Sequence, residues 1–597
     1  MREIMEMIDN RLMAARSCPI LVDRPEVESL PSVIFRKALR IFRPFQGVGF
    51  AALILSVYSV GSELPYPPFY QSDAPFRTAM EKTKDVQPFR QAITGATVPH
   101  HLLAAELIAH TLRLASGKRP DRIILLTPDH YHRTKRPFAT GDRDFLTPYG
   151  RVPVDIAAVV KLLGCPLVEK SNLFSHEHGV QAVLPFIAKL FPGTPVLPVA
   201  LGVRTTKDQW QTLAEALAPL AGTSTLIIQS TDFSHYLPAA TARLRDQETL
   251  RAITTGNADA IIGLDQPSHL DSKAGQWLMT TLQKQCYKAS STVVDNRNAI
   301  EFGGAPDEPR TTSYITQLWS SESISAATLP GDAWYFGGDT HFGRHLAAVI
   351  ADPVKSEHID QAILAVTSGR PLILNLEGVM LDHVPATHLM QIGMETQTTL
   401  ERMAKWNVRG AILANNHTLD FGSSALDSMK RELEKAGVRC ISDGECVDFG
   451  LFRLGAASDV MNSPEPAKNL ITRDVISRWK DDGRDARATV DRASRPVPSL
   501  FTFFHCGREY SDSPGDRERT LAMWADDAGA ALVLGCHPHR PSPAWDNSGV
   551  SLRRYSLGNL LFDQTDSKNT GGLVEVRFFH QGTWAARWIP LGNLYAP

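Results

Sequence analysis

The 597-residue chain lacks the cysteine content and the charge imbalance that would assign it to several large classes of protein. It has seven cysteines and no C-x-x-C pair, so its cysteines do not indicate a disulfide scaffold. Its 62 lysine and arginine residues nearly balance its 64 aspartate and glutamate residues, which argues against wholesale binding of nucleic acid. With 43% apolar residues, a chain of this length is predicted to form two or more globular domains.

Long uncharged runs are also scarce, and the exception lies at residues 44–62, PFQGVGFAALILSVYSVGS. Arginine and lysine residues precede this run, and a cationic flank before an apolar segment is typical of a signal peptide or a signal anchor. The alternative is a buried core helix, because the run is at the short limit for crossing about 30 Å of hydrocarbon. We therefore expect an exported or membrane-anchored protein of the cell envelope, with a cytoplasmic location as the alternative. Residues 1–84 are assigned to this segment and a following linker.

Two regions that alternate between strand-like and helix-like patterns follow the linker. In residues 85–320, the apolar runs RIILLTP, TPVLPVALG and STLIIQST alternate with amphipathic helices, which predicts a mostly parallel sheet. In residues 331–597, the predicted strands are WYFGGD, PLILNLEG, GAILANNH, SLFTFFHCG, ALVLGCHPH and LRRYSLGN. The stretch from Pro464 to Pro498 is predicted to be a surface insertion. The predicted fold class is α/β, with two α/β domains.

Polar side chains end almost every predicted strand of the second domain. They are Asp339, His341, Asn375, Glu377, Asn416, His417, His505, Glu509, His537, His539 and Asn559. In open α/β sheets the carboxyl ends of the strands meet at one crevice, so we expect these side chains to converge. Carboxylate, imidazole and amide ligands suit Mn, Fe or Zn, and their number suits a pair of divalent cations.

Each of these motifs is weak alone, but in order they resemble the poly-γ-glutamate capsule-biosynthesis (CapA) family, which shares the calcineurin-like metallophosphoesterase fold. The resemblance depends on GD…GR, NLE, ANNHTLDFG, H-x-G-x-EY, G-x-HPH and YSLGN. It implies metal ligands at Asp339, His341, Glu377, Asn416, His417, His505, His537 and His539. It also implies catalytic roles for His417, His505 and Glu509, and supporting or substrate-facing roles for Asn375 and Asn559. Cys506 departs from the family, which has tryptophan there.

The function implied by this resemblance is metal-dependent hydrolysis of a phosphoester or amide bond. Two cations would lower the pKa of a bound water and stabilise developing negative charge, and His417 or His505 would donate a proton to the leaving group. The expected partner is an anionic polymer or a small phosphoester or γ-glutamyl substrate, and no nucleic acid. The alternative is a non-catalytic envelope or capsule scaffold that binds an anionic polymer.

The first domain has its own cluster of polar residues after apolar runs. Its predicted site residues are His100, His130, Glu177, His178, Asp232 and His235. The motifs TPYGRVPVD, EHGVQAVLPF and STDFSHY resemble the Memo family (AmmeMemoRadiSam system protein B), whose fold is that of class III extradiol dioxygenases. Where that family has Cys-Gly, this chain has Ala274-Gly275, so a thiolate ligand is missing. The sequence therefore leaves two alternatives for this domain: it holds a metal ion, or it is a degenerate, structural or ligand-binding domain. A cytoplasmic redox role is disfavoured by Ala274 and by the cationic and apolar N-terminal segment.

Overall fold

A computed structural model of the protein describes residues 64–303, 310–324, 328–385, 390–460, 462, 471–485 and 498–595. The apolar run at residues 44–62 lies outside the described residues. Within the described ranges, no helix is both long enough and apolar enough to cross a membrane. Residues Leu64–Pro597 form one compact unit.

The first half of this unit contains strands β1–β11 and helices α1–α8. The strands are β1 Gly95–Val98, β2 Arg122–Pro128, β3 Phe138–Thr140, β4 Phe145–Thr147, β5 Gly150–Val152, β6 Val168–Lys170, β7 Val196–Leu201, β8 Thr225–Ser230, β9 His235–Leu237, β10 Ser290–Asn298 and β11 Thr311–Ser320. The helices are α1 Ala74–Lys82, α2 Ala105–Ala115, α3 Ile156–Leu162, α4 His178–Gln181, α5 Leu184–Leu190, α6 Lys207–Leu217, α7 Ala239–Thr254 and α8 Lys273–Leu282.

Nine of these strands form one mixed sheet with the order β10-β11-β1-β8-β2-β7-β3-β6, with β9 paired to β11. The four central strands β1, β8, β2 and β7 are parallel, as the sequence predicted. The flanking strands β3 and β11 pair in the antiparallel sense with β7 and β1, respectively. The central strands are buried along nearly their whole length, which explains why they are continuous apolar runs.

The second half contains strands β12–β26 and helices α9–α14. The strands are β12 Asp332–Thr340, β13 Leu372–Leu376, β14 Val379–Leu381, β15 Gly393–Glu395, β16 Val408–Ile412, β17 Arg439–Ile441, β18 Cys446–Asp448, β19 Phe452–Ser458, β20 Ser499–His505, β21 Ala530–Cys536, β22 Asp546–Asn547, β23 Leu552–Arg554, β24 Asn559–Leu561, β25 Gly572–Phe578 and β26 Trp584–Pro590. The helices are α9 His345–Ala351, α10 Pro353–Thr367, α11 Thr396–Lys405, α12 Ser423–Lys435, α13 Arg473–Asp485 and α14 Asp516–Asp527.

Two large sheets pack against each other in this half, with helices on their outer faces. The first sheet has the order β17-β16-β13-β12-β25-β26, with β24 on β12, and the second has the order β18-β19-β20-β21-β23-β22. One apolar cluster joins Phe336 and Ile373 of the first sheet to Phe501 and Leu532 of the second. Helices α10–α12 cover the outer face of the first sheet, and α13 and α14 cover that of the second.

The α/β class is confirmed, but two local predictions are wrong. LRRYSLGN is two strands rather than one, because β23 joins the second sheet and β24 joins the first. Residues 464–470 and 486–497 of the predicted surface insertion lie outside the described residues, but the part between them contains α13, whose Ile476 and Trp479 are fully buried against the second sheet. The segment was predicted to lie at the surface because it is rich in charged residues. A few apolar residues are nevertheless enough to bury one face of a short amphipathic helix against a sheet.

The β25–β26 hairpin packs against the first half of the unit. Phe579 lies in an apolar cluster with Leu250, Ile253 and Ile315. Beside this cluster, Gln247 Nε2 donates a hydrogen bond to the carbonyl oxygen of Trp584 at 2.9 Å, and Gln247 Oε1 accepts one from its backbone N–H at 2.9 Å. One side chain therefore satisfies both backbone groups of the same residue.

Replacing this glutamine tests how much the contact stabilises the unit. Gln247→Ala is expected to lower the free energy of unfolding by about 1–3 kcal/mol, because both backbone groups of Trp584 lose their partner. Denaturant titration of the full chain measures the effect. The control is Gln211→Ala, which removes only an exposed contact with Glu215 on α6 and is expected to change stability by about 0.5 kcal/mol or less. Equal effects from the two variants would contradict the assignment.

Candidate metal centre

The predicted polar residues of the second half gather at the carboxyl ends of strands from both sheets. Asp339 lies near the end of β12, Glu377 directly follows β13, His505 ends β20 and His537 directly follows β21. In the first sheet, β12, β13 and β16 are parallel, and in the second, β19, β20 and β21 are parallel. The convergence expected from the strand pattern is therefore present.

Glycine in the GGD motif allows the strands to approach closely at this edge. A Cβ atom on Gly338 would lie 2.0 Å from the carbonyl oxygen of Gly558, which is closer than real atoms come. The same approach lets the backbone N–H of Asp339 donate to Gly558 O at 2.9 Å. The glycines of GGD and LGN thus fix the position of the aspartate that follows.

Two buried carboxylates form the centre of the cluster. Asn375 Nδ2 donates to Asp339 Oδ1 at 2.7 Å and to Glu377 Oε1 at 3.2 Å, so one amide bridges the two acids. His505 Nδ1 lies 3.3 Å from the same amide, and its Nε2 lies 2.8 Å from Asn416 Oδ1. Ligand atoms of Asp339, Glu377 and His505 all lie within 4.8 Å of one another.

The charges of these two acids depend on each other. Burial and the neighbouring charge of Asp339 raise the pKa of Glu377 well above its usual range. Burial alone would also raise the pKa of Asp339, but His539, whose Nδ1 lies 3.1 Å from Asp339 Oδ2, and the charge of His505 hold it below its usual range. The pKa values of the two neighbouring acids are therefore shifted in opposite directions.

His537 and His539 flank the carboxylates in an unusual backbone conformation. Their φ angles are 98° and 57°, a region that residues with side chains rarely adopt. His539 Nδ1 lies 2.8 Å from Asn559 Oδ1, whereas the buried Nδ1 of His537 has no hydrogen-bond partner among the residues described. Backbone strain beside an unpaired buried donor or acceptor is typical of a functional site.

His417 is oriented by an aspartate that the sequence analysis did not single out. His417 Nδ1 lies 2.8 Å from Asp420 Oδ2, and its Nε2 lies 3.9 Å from Glu377 Oε2. Asp420 also accepts a hydrogen bond from the backbone N–H of Ile392. The only sequence signal for this role is the three-residue spacing within NHTLD, which becomes meaningful once the segment is known to turn.

Two predicted site residues lie at the margin of the cluster. His341 Nε2 lies 3.1 Å from Asp563 Oδ1 and its Nδ1 accepts from the backbone N–H of Gly343, so both ring nitrogens are engaged. Arg344 pairs with the same aspartate. Glu509 is exposed on the loop after β20. The residues that the structure gathers are Asp339, Asn375, Glu377, Asn416, His417, His505, His537, His539 and Asn559.

This cluster fits a divalent cation on three grounds. Its donors are carboxylate and amide oxygens and imidazole nitrogens, which suit Mn, Fe or Zn. Two buried acids lie side by side, and a cation compensates their charge better than a shared proton. His537 also offers a buried nitrogen without a partner in the described part of the chain.

The six predicted residues of the first half form a second cluster where β1, β2 and β8 end. His100, His130 and Asp232 each follow one of these parallel strands closely. Glu177 directly precedes α4, where its side chain accepts a hydrogen bond from the backbone N–H of Gly179 and lies 2.6 Å from His130 Nδ1.

The remaining members of this cluster surround His130. The imidazole of His178 lies 4.0 Å from that of His130, and that of His100 lies 4.6 Å from it, between ring centres. His235 adjoins the cluster through a carboxylate, Asp271, whose Oδ2 lies 4.0 Å from His235 Nε2.

The sequence analysis missed Asp271, which lies in a loop before α8 and follows no apolar strand. Its Oδ2 accepts a hydrogen bond from the backbone N–H of Asp232 at 3.0 Å, and Thr231 donates its hydroxyl to Oδ1. Burial and the charge of Asp271 raise the pKa of Asp232 to about 8. Although burial opposes it, contacts with His130 and the charge of His100 hold the pKa of Asp271 below its usual range. Only its nearness to Ala274 in the sequence could have signalled this role.

Comparison with known proteins confirms both resemblances. The family described as "Memo-like protein" matches residues 69–269. The family described as "Bacterial capsule synthesis protein PGA_cap" matches residues 334–445 and 454–564.

Individual relatives match one half of the chain each. A protein named "PGA biosynthesis protein CapA" from Bacillus subtilis is 47% identical over 191 residues, which cover 30% of this chain and 49% of that protein. A "MEMO1 family protein" from Caldivirga maquilingensis is 25% identical over 181 residues, covering 29% of this chain and 64% of that protein. The chain thus spans 49% to 64% of the length of these relatives. In sequence order, this mixed α/β chain carries a Memo-like domain matched over residues 69–269, followed by a PGA_cap domain matched over residues 334–564.

Proposed function

We propose that the PGA_cap domain is a metal-dependent hydrolase that cleaves a phosphoester or amide bond in a capsule or envelope polymer, or in a small phosphoester or γ-glutamyl substrate. The observation that carries this proposal is the pair of buried carboxylates, Asp339 and Glu377, surrounded by imidazoles at the ends of parallel strands. Hydrolysis needs concentrated positive charge, and this donor set is suited to hold two divalent cations. The polymer is inferred from the name of the Bacillus subtilis relative, and the envelope location from that name and the sequence of residues 44–62.

The residues of the cluster divide into those that would hold cations and one that would move a proton. Asp339, Glu377, Asn416, His505, His537 and His539 are the proposed cation ligands. When bound, the cations supply the charge that acidifies water and stabilises a developing anion. These ligands are fixed by the bridging amide of Asn375 and by Asn559, so little reorganisation is needed at the moment of reaction.

His417 is the proposed proton donor to the leaving group. Asp420 holds its Nδ1, so its Nε2 faces Glu377 and the centre of the cluster. An imidazole oriented in this way can pass a proton to the oxygen or nitrogen of a leaving group. Glu509 is exposed on the loop after β20, and its proposed role is to contact the substrate rather than the cations.

The proposed hydrolase site leads to a prediction about metal content. Asp339→Asn is expected to lower the amount of Mn, Fe or Zn that the full chain retains after reconstitution, because the amide removes a buried negative charge from the ligand set. Elemental mass spectrometry after desalting measures this amount. The control is Asp427→Asn, which changes an exposed acid on α12. Unchanged metal content in Asp339→Asn would contradict the metal centre.

The second prediction concerns hydrolysis of phosphoester and γ-glutamyl substrates by the metal-loaded chain. His417→Ala is expected to slow hydrolysis by about 10²–10⁴-fold, the usual contribution of a proton-transferring side chain. Asp420→Asn is expected to slow it by roughly 10–100-fold and to shift its pH profile, since it changes only the partner of that imidazole. His358→Ala, which alters an exposed histidine on α10, is the control.

The same variants separate hydrolysis from the alternative of a non-catalytic scaffold. A scaffold would bind an anionic polymer such as poly-γ-glutamate equally well with and without His417, and would release no product from it. If wild-type protein that retains metal cleaves none of the substrates but binds the polymer, the hydrolase proposal is wrong and the scaffold is correct.

A further inference from the structure

The Memo-like domain contains a second group of side chains arranged around one carboxylate oxygen. Asp271 Oδ2 lies 3.3 Å from His100 Nε2, 3.6 Å from His130 Nε2 and 4.0 Å from His235 Nε2. These separations are close to those between neighbouring ligands of one metal ion, whose bonds to nitrogen and oxygen are about 2.0–2.2 Å long.

Each of these histidines is oriented by a partner on its other ring nitrogen. His100 Nδ1 lies 3.3 Å from the hydroxyl of Ser230, and His130 Nδ1 lies 2.6 Å from Glu177 Oε1. His235 Nδ1 lies 3.4 Å from the hydroxyl of Thr312. This is how proteins orient imidazoles that bind metals, since a partner on one nitrogen directs the other toward the ion.

The facing nitrogens are unsatisfied although they are buried. In the ranges that the structure describes, neither His130 Nε2 nor His235 Nε2 has a hydrogen-bond partner. Asp271 Oδ2 has two lone pairs, one of which accepts the backbone N–H of Asp232, so it cannot also satisfy three imidazoles at 3.3, 3.6 and 4.0 Å. Leaving such groups unpaired costs free energy, which a bound cation would remove.

We propose that His100, His130 and Asp271 hold a divalent cation in the Memo-like domain, and that Asp271 supplies the anionic ligand that Ala274 cannot. The resemblance gives cysteine at Ala274, and alanine offers no donor atom. Asp271 lies three residues earlier in the same chain segment, and its carboxylate reaches the histidines from the loop before α8. The imidazole of His178 lies 4.0 Å from that of His130 between ring centres, and His235 Nε2 lies 4.0 Å from Asp271 Oδ2, so both rings adjoin this triad.

The exchange of ligand changes which ion the site prefers. Thiolate favours soft ions such as Cu(I), whereas two imidazoles and a carboxylate favour Fe(II), Mn(II) or Zn(II). Asp232, whose Oδ2 lies 3.6 Å from His100 Nε2, adds a second acid beside the ion. The inference concerns a site separate from the hydrolase centre and does not depend on the proposed function.

The test is made in the full chain with the C-terminal centre disabled by Asp339→Asn and His505→Ala together. In this background, Asp271→Asn is compared with Asp265→Asn, which changes an exposed acid in the same loop. Each protein is reconstituted separately with Fe(II), Mn(II), Zn(II) and Cu(I), desalted and assayed for bound metal. Circular dichroism and thermal melting confirm that every variant is folded.

We expect the Asp265→Asn control to retain Fe(II), Mn(II) or Zn(II), and Asp271→Asn to bind it at least about 10–100-fold more weakly. X-ray absorption of the loaded control is expected to show nitrogen and oxygen neighbours without sulfur. Equal metal binding by the two folded variants would overturn the proposal. So would sulfur ligation, or a background protein that binds none of the three ions.

Discussion

The interaction on which both clusters depend is the compensation of buried negative charge. An ionised carboxylate removed from water is strongly destabilising unless hydrogen bonds or opposite charge replace its hydration. Asp339 and Glu377 share one bridging amide, and Asp271 receives a backbone N–H and a hydroxyl, yet in each case a second buried acid lies alongside. Hydrogen bonds hold these acids in place, but they do not neutralise them.

The parallel strands provide this arrangement in both domains, and for the same reason. At the carboxyl ends of the strands, the backbone leaves the sheet and successive loops meet. Polar side chains from distant parts of the sequence therefore come together next to the buried apolar strands. The burial that makes the strands stable also excludes water from the clusters. In the PGA_cap domain these strands belong to two sheets that pack against each other. For this reason β12 and β21 contribute to one centre although they belong to different sheets.

The sequence predicted those features that depend on local pattern. Apolar runs predict the strands that end at or near Asp339, His505 and His537, and the convergence of these residues follows from strand direction alone. The division of the second half into two sheets could not be predicted, because it depends on which strands pair. The sequence predicts Trp479 within a surface insertion, because the charged residues around it outnumber the apolar residues that pack its helix against the sheet. The domain boundaries and the roles of individual site residues stay predictions.

Asp271 and Asp420 show why ligand-supporting residues are harder to find than ligands. Neither lies at the end of a predicted strand, and each acts through a contact that exists only when a loop has folded back onto the cluster. Asp271 also shows that the loss of a ligand cannot be judged from one aligned position. Alanine at position 274 removes a thiolate, but the site is defined by where the imidazole nitrogens point, and three of them point at Asp271 Oδ2. A carboxylate that enters the same space from a neighbouring position preserves negative charge and a donor atom while changing the softness of the ligand set. The chemistry available to the Memo-like domain is therefore set by the ion that nitrogen and oxygen donors select, rather than by the absence of cysteine.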